Sequence, residues 1–196
     1  MSPDAALVTQ AQAGSQAAYC ELVERYKAKA MSIALGLLGN IEEAKDASQE
    51  AFVKAYRALA RFHAQARFST WLYRIIVNEC QSVLRARQRA GRWLWRPTAA
   101  ASQDEADDFL ELIPSEAPSS REIASTAEVQ HELQRAIHTL SPRQRAVVTL
   151  RYLEGLSVED VAEALACAPG TVKAQLARAL RHLRAQFDGL VEEYLS

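Results

Sequence analysis

The chain is poor in cysteine, glycine and proline, and it has no long apolar run. Cys20, Cys80 and Cys167 are odd in number and far apart, and no Cys-X-X-Cys pair exists. His63, His131, His138 and His182 lie at no metal-ligand spacing. These gaps argue against a disulfide framework and a metal centre, and the thiols read as structural. No stretch approaches the roughly 20 apolar residues of a membrane helix, so membrane insertion is not expected. The N-terminus has Asp4 and no early Lys or Arg, unlike a signal peptide, and the expected location is the cytoplasm. Paired carboxylates or Cys/His groups at a usable catalytic spacing are also missing. No catalytic residue, metal or cofactor is therefore expected, and the chain does not read as an enzyme. Seven glycines and no sustained period-2 alternation leave little room for a sheet.

What is present suits an all-α protein. Hydrophobic residues make up 49% and charged residues 24%, ordinary for a soluble globular chain with room for one large or two small domains. Apolar periodicity predicts helices over about 3–13, 15–38 and 41–60, then from Ser69 as N-cap to about Arg89. Residues about 91–121 change character, with an alanine run, an acidic cluster and Pro114, Pro118, Ser119 and Ser120. Phe109, Leu110, Leu112 and Ile113 form an apolar patch within it. Helices resume at about 122–139, 142–153, 157–165 and 170–187. The reading is two small helical domains, 1–92 and 125–196, joined by a flexible acidic linker at 93–124.

Net charge of -1 conceals a partition. Lys54 to Arg96 holds ten bases against one acid, Pro97 to Gln134 nine acids against one base, and Thr171 to Phe187 four bases and no acid. Two basic blocks around an acidic connector are what two surfaces meeting a polyanion require. Single charge runs are usually solvated faces; here the excess coincides with aromatics.

Three segments carry candidate chemistry. Leu156 to Lys173 reads as a helix-turn-helix: Ser157 caps one helix, Cys167-Ala168-Pro169-Gly170 breaks it, and a basic helix follows. Thr171, Val172 and Lys173 would lie in that helix's first turn, where free amides meet phosphate. Lys173, Arg178 and Arg181 suit phosphates or guanine edges, while Val161, Leu165, Val172 and Leu176 pack the two helices. The same pattern also fits an ordinary helical hairpin. Arg61 to Asn78 interleaves aromatics with Arg, the combination that stacks on unpaired bases and pairs with phosphates. There Trp71 and Ile75 read as core, and Phe62, Phe68 and Arg74 as candidates for DNA contact. Asp46, Gln49, Glu50 and Val53 share one helix face, a stripe that periodicity alone leaves as solvated surface.

Asp46 to Arg57 and Phe68 to Asn78 resemble regions 2.2 to 2.4 of the extracytoplasmic-function (ECF, group 4) sigma factors of the sigma-70 family. Leu140 to Tyr152, with Gly155-Leu156-Ser157 and Pro169 to Lys173, resembles region 4. The blocks stand in the family order over about residues 5–187. The resemblance implies that Asp46, Gln49, Glu50 and Val53 bind the β′ clamp of core RNA polymerase, with the β flap as a further contact. It implies that Phe62, Phe68, Ser69, Thr70, Arg74 and Asn78 capture a flipped base and melt the -10 element. It assigns Arg151, Thr171, Lys173, Ala174, Ala177 and Arg178 to the -35 element. It further implies control by an anti-sigma factor, commonly a membrane protein, and a linker running through the polymerase cleft. Ala174 and Gln175 stand where many relatives have Ser and Arg, and Ser82 where an Asp is common; these bear on promoter choice. The alternatives are a helix-turn-helix regulator acting without sigma activity, which leaves the 61–78 block unexplained, and a helical enzyme.

Overall fold

The computed structural model describes residues 4–63, 67–93 and 133–195, with side chains to Arg89 in the fourth helix and to Phe187 in the last. All regular structure among the described residues is helical. The N-terminal unit comprises α1 (Ala5–Gln12), α2 (Gln16–Leu38), α3 (Ile41–Ala58), a 3-10 turn (Leu59–Arg61) and α4 (Phe68–Trp93). Their ends follow local chemistry. Ser15 Oγ accepts from Ala18 N at 3.3 Å to open α2, and Gly39 closes it in the left-handed region at φ 70, its N–H donating to Leu35 O. Asn40 then caps α3 through Glu43 N at 2.9 Å, with Glu42 and Glu43 in the positive first turn.

The α3 face turned inward is small: Ala44, Ala47, Ala51 and Ala55 are buried, which lets α2 and α4 approach closely. Leu22, Ile33, Leu72, Ile76 and Val77 fill the centre. Asp4 is buried beneath α1 and accepts from Arg25 at 2.7 Å and Tyr26 Oη at 2.5 Å. Burial, then the Asp4 carboxylate, holds the Tyr26 phenol well above its ordinary value.

The C-terminal unit comprises α5 (described over 133–139), α6 (Pro142–Val148), a π-turn (Thr149–Leu153), α7 (Val158–Ala164) and α8 (Pro169–Leu195). Ser141 and Gln144 form a reciprocal capping box with Pro142 just inside the helix. Ser157 caps α7 through Asp160 N at 3.0 Å. The C-terminal unit rests on the N-terminal one, with α7 against α4 and α6 against α2.

Three expectations need correction. The fourth helix starts at Phe68, so Ser69 sits inside its first turn and the carbonyl of Arg67 receives Trp71 N–H. The predicted helix over 142–153 gives way to the π-turn after Val148. The break in the helix-turn-helix covers Leu165–Ala168, with Ala166 at φ 50, and Pro169-Gly170 already belong to α8. Proline lacks only an N–H that a first helical turn leaves unpaired, so it opens the helix instead of preventing it. The acidic linker, its apolar patch and the start of the predicted 122–139 helix lie outside the described residues, as do residues 64–66 of the loop.

Candidate nucleic-acid interface

On α3, Asp46, Gln49, Glu50 and Val53 all face solvent, opposite the buried alanines. Val53 is 42% exposed and Tyr56, which the sequence reading did not include, 46%. Tyr56 packs against Tyr19 in a tilted arrangement at 4.8 Å between ring centroids, so this exposed ring is held rather than loose. Its spacing of three from Val53 was the available signal. Lys54 pairs with Glu50 at 3.8 Å and more closely with Glu79, tying the same face to α4.

The predicted -10 group divides into two. Arg74 and Asn78 are exposed, and Ser69 is half-buried. Phe62, Phe68 and Thr70 are buried at 8%, 4% and 3% exposure, against the expectation that the two phenylalanines meet DNA directly. Their rings form an aromatic cluster with Trp71 and Tyr26: Phe62 and Phe68 meet edge to face at 6.0 Å, and Trp71 lies 4.9 and 5.7 Å from them. Such offset contacts are the favoured arrangement of aromatic quadrupoles. Trp71 and Ile75, expected as core, are only partly buried against it. Gln12 donates to the carbonyls of Leu59 and Phe62 at 3.0 and 2.8 Å, fixing the entry to the loop.

In the helix-turn-helix, Val161 and Val172 are fully buried and Leu176 nearly so, clamping α7 to α8. Thr171, Lys173, Ala174, Ala177, Arg178 and Arg181 are left in solvent on the other side of α8. The helix thus presents a basic, ridge-like face of the width that enters a major groove. Arg151 stands apart: half-buried in the π-turn, it donates to Leu156 O at 2.8 Å and holds the loop that leads into α7. Cys80 is buried, which pushes its thiol up to about 12, the behaviour of an inert core group. Among the described residues no cluster of His, Cys, Asp and Glu could hold a metal.

Residues 22–90 match the model for Sigma-70 region 2, and residues 130–183 that for Sigma-70, region 4. The RNA polymerase sigma-H factor of Pseudomonas aeruginosa is 34% identical, over 97% of this chain and 96% of its own. The ECF RNA polymerase sigma factor SigW of Bacillus subtilis is 33% identical, over 93% and 96%. The chain belongs to the ECF sigma factors of the sigma-70 family.

In this sigma factor, region 2 spans most of α2 to α4 and region 4 spans α5 to much of α8. Its fold is shared with the sigma factor RpoE of Bartonella quintana, solved in complex with the anti-sigma factor NepR. The two superpose at a TM-score of 0.65 with 22% identity, over 87% of this chain and 96% of that one. As a family member it serves transcription initiation by RNA polymerase.

Proposed function

We propose that region 2 docks on the β′ clamp of core polymerase through Asp46, Gln49, Glu50 and Val53, with Tyr56 as an added apolar contact. The observation that carries this is the joint exposure of those side chains on one rigid helix whose other face is locked by buried alanines. An exposed Val53 and Tyr56 ringed by charge is the composition of a protein interface, an apolar centre with a polar rim. Region 4 reads the -35 element through Thr171, Lys173, Ala174, Ala177 and Arg178 and meets the β flap. Arg151 supports that surface from behind.

Strand opening falls to the loop after Arg61 and the start of α4. Extracting a base costs a few kcal/mol, so the receiving surface must be preformed. Phe62, Phe68, Trp71 and Tyr26 build its floor, Ser69 and Thr70 line its base, and Arg74 and Asn78 stand free to meet the strand. The protein lends recognition while polymerase performs the chemistry, so it acts in the cytoplasm without a cofactor or catalytic residue of its own. An anti-sigma factor regulates it, a reading supported by its family and by the partner of the Bartonella protein. A free helix-turn-helix regulator would leave the α3 stripe without a purpose.

The test is Asp46→Lys with Glu50→Lys. Both positions are exposed, so helicity should be unchanged, while affinity for core polymerase should fall at least about tenfold, the size of a lost hot spot. Undiminished core binding would remove the assignment. Tight binding of the free wild-type protein to duplex promoter, without any core complex, would favour the regulator instead.

A further inference from the structure

Helix α1 lies ahead of residue 22, where the match to Sigma-70 region 2 begins, and its own apolar anchorage is slight. Val8 and Ala11 are buried and Leu7 is partly so, on a helix of eight residues, a length that is marginal in water by itself. Polar contacts at both of its ends add to this hold, and each of them leads to the strand-opening surface.

At the C-terminal end, Gln12 Nε2 donates to the carbonyls of Leu59 and Phe62 at 3.0 and 2.8 Å. Both partners are acceptors, so the amide nitrogen and not its oxygen must face them. Phe62 is extended, at φ -73 and ψ 121, so its carbonyl has left the 3-10 turn and Gln12 supplies it with a donor. Gln12 is itself exposed, yet its amide is turned to the backbone that leads to the aromatic floor. At the N-terminal end, Asp4 is 4% exposed and accepts from Tyr26 Oη at 2.5 Å and from Arg25 at 2.7 Å. Tyr26 in turn packs on Phe68 at 5.6 Å and on Tyr73 at 6.3 Å. A ring tied at its hydroxyl as well as at its Cβ keeps one orientation. The two ends of α1 stand about 12 Å apart along its axis. Between them they hold Phe62 directly, by its backbone, and Phe68 through Tyr26. Those two rings meet edge to face at 6.0 Å and form the centre of the floor.

We propose that α1 is a positioning element for strand opening: Gln12 and Asp4 hold Phe62 and Phe68 in the arrangement that receives an extracted base. This rests on the strand-opening reading given above. A surface ordered beforehand leaves more of the binding free energy to offset the cost of extraction.

The experiment uses holoenzyme formed with the full chain, on a promoter selected with the wild type, and reads the permanganate reactivity of thymines around -10. Gln12→Glu keeps the shape but turns an acceptor towards two carbonyls, Gln12→Met removes the donors at similar size, and Gln12→Lys restores a donor. All three residues are good helix formers, and the position is exposed, so the fold is not at risk. Tyr26→Phe removes the hydroxyl that Asp4 holds and leaves the ring. Opening should fall roughly tenfold with Glu and about fivefold with Met and with Tyr26→Phe, the size of one or two lost hydrogen bonds, and stay within about twofold of wild type with Lys. Core affinity should be unchanged throughout. A template mismatched across -10 should restore open complexes, because its bases need no extraction. Unchanged opening in Gln12→Glu and Tyr26→Phe, or a loss shared equally by core affinity and the mismatched template, would overturn the role of α1. A wild-type holoenzyme that leaves the thymines around -10 paired would instead defeat the strand-opening reading itself, and the proposal with it.

Discussion

At the scale of single residues, two side chains turn out to do work that their letters do not disclose. Phe68 sits in a basic, aromatic block suited to stacking on bases, yet it is 4% exposed and wedged between Tyr26, Phe62 and Trp71. Phe68→Ala should therefore cost about 3–5 kcal/mol of stability by opening a cavity, read by chemical unfolding. An unchanged unfolding midpoint with lost promoter opening would place the ring on DNA instead. His138 lies against Gly39, and burial, followed by the charges of Arg145 and Arg87, brings its pKa down to about 4. Glu43 pairs with Arg87 at 2.8 Å beside this group of charges. Because the depressed value belongs to the folded state, protonation opposes folding. The neutral imidazole's contribution to stability is complete above its ordinary value of 6.5 and is lost as pH falls from there towards 4. Chemical unfolding should accordingly show the wild type losing more stability between pH 7 and pH 5 than His138→Gln; identical losses would exclude the imidazole as the cause.

Among the elements, most helix starts and stops were legible because they are local. Ser15, Asn40, Ser141 and Ser157 each accept from the amide three residues on, and Gly39 adopts the left-handed conformation that ends α2. The stripes of α3 and α8 were legible for a similar reason, since a 3.6-residue period separates buried alanine or valine from exposed charge. In one place where strictly local reasoning slipped, a neighbour accompanies the change. The helix predicted to continue from 142 to 153 widens into a π-turn where Thr149 and Leu153 press on Gly36. The exposed bases of α8 carry their own prediction. Lys173→Ala with Arg178→Ala should weaken upstream promoter binding and lower its salt slope by about two charges' worth, as expected if both meet phosphate. An unchanged slope in a salt titration would show that they do not.

Considered as a whole molecule, the protein is two helical units with separate tasks and one shared seam. Its family, its all-helical class and its basic and acidic blocks are properties of composition and spacing, and each could be read along the chain. So could the exposed face of α3, because it depends only on which residues that helix turns away from its own buried side. The seam could not. Lys29 and Glu154 are 125 residues apart, and Leu37 and Arg145 are 108 apart; nothing in the spacing of either partner announces the other. The same holds for Phe68, whose inward orientation depends on Tyr26 in another helix, and for Phe62, which packs on Phe68. The helices, their faces and the family are written in the order of residues, because capping, periodicity and charge act over a few positions. The inward turn of the aromatics and the meeting of the two units came from the tertiary structure, because both depend on burial against partners distant in the chain.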